Sequence, residues 1–178
     1  MKKSNPKIII GLGNPGAEYN ETNHNLGKMF VLYLSQKLGK KEDSFQTPSG
    51  KEFSYVKSGK FIFAMPLVYM NSSGGAILQI AKYFKARPSE IVIIHDDSDI
   101  FIGKFKFVFD HSSAGHKGVE SVIRTLKTQK FWRIKIGTRD IEEKKRLQAG
   151  KIVLNKIDSR RKKILIEVFK RASEIIIK

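Results

Sequence analysis

The feature that most constrains this chain is an alternation. Short runs of β-branched apolar residues, each ended by a turn former, are interleaved with longer stretches whose apolar residues recur at helical spacing. Lys7-Ile8-Ile9-Ile10 stops at Gly11, and Ile91-Val92-Ile93-Ile94 gives way to a polar run; both read as buried strands. Phe53–Val56 and Lys60–Met65 flank Ser58-Gly59 as a hairpin. Phe105, Phe107 and Phe109 alternate with Lys104, Lys106 and Val108, which predicts a strand with one apolar and one partly cationic face. Trp132–Ile136 is a further strand. Between these lie predicted helices over Asn25–Leu38, stopped by Gly39, around Ala76–Phe84, closed before Pro88, and around Val119–Leu126. A last helix is capped by Asp158-Ser159 and carries a stripe of Ile164, Leu165, Val168, Phe169, Ala172, Ile175 and Ile176. Interleaved strands and helices predict an α/β fold. The form expected is a single-domain three-layer sandwich, with a mixed, twisted β-sheet between α-helices. The least regular stretches are 39–51, 111–118 and 138–151.

With 178 residues and 40% apolar composition the chain can bury a core. No apolar run reaches the roughly 18–20 residues needed to cross a bilayer, and Met1–Pro6 lacks the apolar stretch of a signal peptide. There are no cysteines, which excludes disulfides, thiolate metal sites and cysteine nucleophiles. A cytoplasmic location is expected. Against 17 acidic residues stand 34 Lys and Arg, a net charge of +17; an excess of this size on a folded chain points to a polyanionic partner, nucleic acid above all.

Polar residues gather where strands are expected to end, the usual place for sites in open α/β sheets. One such group is Gly11-Leu12-Gly13-Asn14-Pro15-Gly16 with Tyr19, His24 and Asn25; others are Tyr69-Met70-Asn71-Ser72, His95-Asp96-Asp97-Ser98-Asp99 and His111–Gly118. Three chemistries are open to them. The pattern G-x-G-x-x-G suggests a dinucleotide loop, yet that fingerprint needs a helix opening at the loop and an acid about 20 residues on. Here the helix begins near Asn25, residues 36–41 are cationic, and Pro15 removes an N–H from the cradle. A metal could be held by His24, His95, Asp96, Asp97, Asp99, His111 and His116, but no H-E-x-x-H or EF-hand spacing occurs. Asp96 and Asp97, adjacent on an extended chain, point to opposite faces. Metal-free hydrolysis would use His24 as base for water, an acid such as Asp96 to fix its tautomer, and the amides of Asn14 and Asn71 on a carbonyl.

The blocks Gly11–Tyr19, Thr22–Gly27, Tyr69–Gly74, His95–Asp99, Gly115–Gly118 and Arg133–Gly137 together resemble bacterial-type peptidyl-tRNA hydrolase, in its order and near its spacings, from Ile8 to at least Asn155. The resemblance implies one such domain over residues 1–178, a monomer without obligate protein partner, membrane contact, cofactor or metal. The activity implied is hydrolysis of the ester joining a peptide to the tRNA 3′ ribose, which recycles tRNA from prematurely released peptidyl-tRNA. It further implies that the catalytic set is His24 (general base), Asp96 (orienting carboxylate) and Asn14. Tyr19, Tyr69, Met70 and Asn71 are implied to line the peptide and 3′-end cleft, and Lys106 and Lys135 to grip tRNA phosphate, with the loop of Lys144 and Lys145 nearby.

The chain also departs from the family pattern. Lys117 replaces the usual Asn and is carried as a substrate-binding position. Asn23 stands where Arg is common, the 111–114 loop is less glycine-rich, and the end at Lys178 implies a missing terminal tRNA contact. These departures keep a second expectation open, a non-catalytic RNA-binding paralogue of the same fold.

Overall fold

A computed structural model of the chain describes residues 7–140 and 156–177. The segment holding Lys144 and Lys145 lies outside the described residues. Six strands form one mixed sheet: β1 (Ile8–Gly11), β2 (Phe53–Ser58), β3 (Phe61–Pro66), β4 (Ile91–Phe101), β5 (Phe105–Phe109) and β6 (Trp132–Arg139). Their spatial order is β2-β3-β1-β4-β6-β5. The inner strands β3, β1, β4 and β6 run parallel, while β2 and β5 close the two edges antiparallel. Among the described residues four helices flank the sheet: α1 (Leu26–Lys37), α2 (Ser73–Tyr83), α3 (Lys117–Leu126) and α4 (Ser159–Ile177). The expected α/β sandwich is therefore present.

Strand alternation divides the core in two. Ile9, Phe63, Val92, Ile94, Ile134 and Ile136 face α1 and α4, meeting Phe30, Leu34, Leu165, Val168 and Phe169. Ile8, Ile10, Ile91 and Ile93 face α2 and α3, meeting Ile77, Ile80, Val119 and Val122. Helix α1 ends as its sequence foretold: Gly39 has φ 76°, and Lys40 N–H bonds the Ser35 carbonyl at 2.8 Å while Gly39 N–H bonds Gln36 at 2.9 Å, a left-handed cap that glycine favours. Asp158 caps α4 by accepting from Arg161 N–H at 2.8 Å.

Two expectations need correction. Ile175 does not join the buried stripe of α4 and is 45% exposed, because its neighbour Ile176 takes the inward position. The run His95–Asp99 is not a loop beyond a strand but the continuation of β4. It is held by pairing with the long β6 at His95↔Lys135, Asp96↔Ile136 and Asp97↔Gly137, before the register shifts between Asp97 and Phe101. The polar residues thus have the fixed alternation of a strand: Asp96 lies on the α1 face, His95 and Asp97 on the α2–α3 face.

Candidate active site

The start of α1 lies backbone-to-backbone on the sheet, and glycine makes that possible. A Cβ on Gly27 would run into the Ile94 carbonyl and the Leu12 backbone, and one on Gly11 into the Gly27 carbonyl. Leu12 N–H bonds the Ile94 carbonyl and Lys28 N–H bonds the Leu12 carbonyl, both at 3.0 Å. Gly11 therefore serves close packing, and Gly16, at φ 104°, serves the turn. After Gly16 comes a 3₁₀ turn (Ala17–Tyr19), and α1 opens only at Leu26, so the pattern does not build a dinucleotide cradle.

The same approach brings the turn Asn23–Asn25, and with it His24, over the middle of β4. Asn25 is fully buried and locks the first loop. Its Oδ1 accepts from Asn14 N–H at 2.8 Å, and its Nδ2 donates to the Asn14 carbonyl at 3.1 Å. Asn14, itself buried, accepts on Oδ1 from Met70 N–H at 2.8 Å, so Nδ2 is the end left to donate. Met70 in turn is wedged between elements. The Ser73 hydroxyl donates to its carbonyl at 2.8 Å, and its sulfur sits where a Cβ on Gly118 would be.

Asp96 is the hub of the site. Its carboxylate, on a residue only 3% exposed, lies 2.9 and 3.0 Å from His24 Nδ1 and 3.0 Å from His116 Nε2. Burial pushes the carboxyl up, but the hydrogen bonds from His116 and His24 overcome it. The group is held well below the usual carboxylate range. An ionised carboxylate only accepts, so both imidazoles donate to it. For His24 this places the proton on Nδ1 and leaves Nε2 with a lone pair. For His116 the assignment has independent support: its Nδ1 accepts from Val119 N–H at 3.3 Å as the N-cap of α3, so Nε2 carries the proton. The rings of His24 and His116 lie 5.1 Å apart. His95, 1% exposed and 4.6 Å from the His116 ring, donates from Nδ1 to the Asp96 carbonyl at 2.7 Å. Burial above all, with the Arg133 charge adding to it, pushes its pKa well below the ordinary imidazole range, so it is neutral.

The structure thus brings His24 and Asp96 together and ties Asn14 to Met70. Tyr69 is 57% exposed and meets Tyr19 edge-on at 6.3 Å, with Asn71 exposed beside them. Lys106 is exposed on β5, opposite Lys135 on β6. Lys117 opens α3 with an exposed side chain, its Nζ 3.3 Å from Glu120. Lys135 is 8% exposed, and its Nζ lies 2.6 Å from the Asp97 carboxylate, where it neutralises a buried acid.

Sequence reasoning counted His116 only among possible metal ligands and gave Asn25 no role, although both stand inside its motifs. The signal for His116 was its place one residue before a helix, where Ser, Thr, Asp or Asn normally caps. His24 Nδ1, Asp96 and His116 Nε2 all lie within 4.8 Å of one another and form, among the described residues, the group whose donors could hold a metal ion.

A family model described as peptidyl-tRNA hydrolase matches residues 8–178. The chain is 40% identical over 172 residues to the peptidyl-tRNA hydrolase of Lactobacillus acidophilus, covering 96% of this chain and 90% of that protein. It is 34% identical over 166 residues to that of Aquifex aeolicus, covering 93% and 85%. The crystal structure of peptidyl-tRNA hydrolase from Acinetobacter baumannii superposes with a TM-score of 0.84 at 27% identity, covering 99% of this chain and 89% of that one. The chain belongs to the peptidyl-tRNA hydrolase family.

Proposed function

We propose that this protein hydrolyses the ester between a peptide and the 3′ ribose of tRNA, with His24 as general base and without metal. The observation that carries the reading is the Asp96 carboxylate against His24 Nδ1 at 2.9–3.0 Å. That contact sets the tautomer and leaves Nε2 to take a proton from water. The water oxygen then bonds to the acyl carbon, and the carbonyl oxygen gathers negative charge, for which Asn14 Nδ2 is the candidate donor. Collapse breaks the bond to the ribose oxygen, and the imidazolium returns the proton to that leaving oxygen, so the base is regenerated. An ester is activated enough for an oriented imidazole and fixed water to suffice.

Tyr19, Tyr69, Met70 and Asn71 form the face offered to the peptide and 3′ end. Lys106, Lys117 and the surplus of +17 supply sequence-blind attraction to tRNA phosphates. In this reading the chain is one domain, a cytoplasmic monomer that needs no protein partner and recycles tRNA from peptidyl-tRNA released early. The test is purified protein with an N-blocked aminoacyl-tRNA in excess EDTA. Release of free tRNA is expected. Retention without release would favour the non-catalytic RNA-binding reading, and loss of activity to the chelator would refute metal independence.

A further inference from the structure

We infer that the His24–Asp96–His116 cluster captures a first-row divalent transition ion, and that capture switches hydrolysis off. The inference rests on reading His24 as the base. The chain offers such an ion few alternatives: it has four histidines and no cysteine. His95 is 1% exposed with Nδ1 committed to a backbone carbonyl, and His111 is exposed on the loop before α3. The remaining two imidazoles converge on one carboxylate.

Two of the three donor separations are close to those of a metal shell, and all three donors lie within 4.8 Å of one another. Ligand bonds of about 2.0–2.2 Å in a tetrahedral site place donors roughly 3.0–3.5 Å apart. Here Asp96 lies 2.9 Å from His24 Nδ1 and 3.0 Å from His116 Nε2. All three donors sit on residues that are largely buried, with side chains 12%, 5% and 9% exposed, so little ordering remains to be done when an ion enters. Two imidazoles and one carboxylate suit Zn²⁺, Co²⁺ or Cu²⁺. Mg²⁺ needs an octahedron of oxygens, and Asp97, the next acid along β4, lies on the other face and is bound to Lys135.

Inhibition follows from proton placement. An ion on Nδ1 of His24 forces that ring's single proton onto Nε2, the atom that must accept one from water. The base is then blocked even where substrate still binds. On His116 the ion takes Nε2 and sends the proton to Nδ1, so the cap loses its acceptor for Val119 N–H. That bond is 3.3 Å long and weak, and its loss gives a second signature.

The probe is Zn²⁺ added to the metal-free protein, followed by calorimetry, with Co²⁺ absorption as a check on coordination. We expect one ion per chain, turnover that falls with occupancy and returns with EDTA, no effect of Mg²⁺, and faster hydrogen exchange at Val119. His116→Asn and His24→Gln should each weaken binding at least tenfold, while His111→Ala should not; using two ligand variants covers the failure of either to fold. Undiminished binding in both ligand variants, or saturation without loss of turnover, would overturn the inference. Because calorimetry needs no turnover, a protein that fails to hydrolyse the ester would still test the site.

Discussion

Whether Lys135 serves Asp97 or tRNA phosphate can be tested by a double-mutant cycle with Asp97. The pair is buried, with side chains 10% and 7% exposed, and its charges are 2.6 Å apart. At an effective dielectric near 20 the gross attraction is about 6 kcal/mol, much of which offsets the cost of taking both ions out of water. Breaking such a pair by removing one partner leaves an uncompensated buried charge and costs about 3–5 kcal/mol. The two single variants are not equivalent. Arg133 is fully buried and donates to the Ser112 carbonyl at 2.9 Å; burial pulls its pKa down and the Asp97 charge opposes that. Lys135→Met leaves Asp97 with Arg133 for partial compensation. Asp97→Asn leaves two buried cations without their acid, so it should cost more. The double variant, which removes both charges, should cost clearly less than the sum of the singles, with a coupling of about 2–3 kcal/mol.

Urea unfolding is the assay. With a slope near 2 kcal/mol/M, a loss of 3–5 kcal/mol moves the midpoint by roughly 2 M, and the slope itself should not change. A Lys135→Met variant within about 0.5 kcal/mol of the parent, combined with a raised KM for the tRNA substrate, would refute the reasoning. Lys135 would then be a phosphate contact after all.

The other predictions concern the site and its support. His24→Ala should lower kcat by about 10²–10⁴-fold with tRNA affinity nearly unchanged; comparable loss of binding would remove its role as base. Asp96→Asn should cause a loss of similar size, since an amide can donate to His24 Nδ1 and invert the tautomer; steady-state kinetics on a folded variant decides it. Lys106→Ala should leave stability alone and reduce the slope of log affinity against log salt by about 1, and an unchanged slope would remove Lys106 from the tRNA surface. Gly27→Ala should destabilise by at least 1–3 kcal/mol, because its methyl meets the Ile94 carbonyl and Leu12 backbone. Gly75→Ala in α2, with open space around the added atom, should be neutral or stabilising by up to about 1 kcal/mol. Equal effects at the two glycines would sink the close-approach argument.

Much of this fold was legible because its core residues obey simple periods. The triple isoleucine of β1 has neighbours on both sides and must be apolar throughout, and the stripe of α4 repeats at helical spacing. What composition hid was set by distant pairing. No local rule says that His95–Asp99 remains a strand, since Asp and Ser disfavour sheets; the pairing of β4 with Trp132–Arg139 decides it. Likewise Lys135 looks like any surface cation until its register places it beside Asp97.

The extension of β4 also explains why two adjacent acids have unlike roles. Strand alternation gives Asp96 to the α1 face, where two imidazoles meet it, and Asp97 to the opposite face, where a lysine neutralises it. A one-residue slip of β4 against β6 would exchange them, putting the paired acid under His24 and the hydrogen-bonded acid beside Lys135. The long pairing with β6 therefore fixes the chemistry as well as the sheet. The glycine contacts that seat α1 on Ile94 have the same effect from the other side, because the turn just ahead of that helix, which carries His24, can approach β4 in only one place.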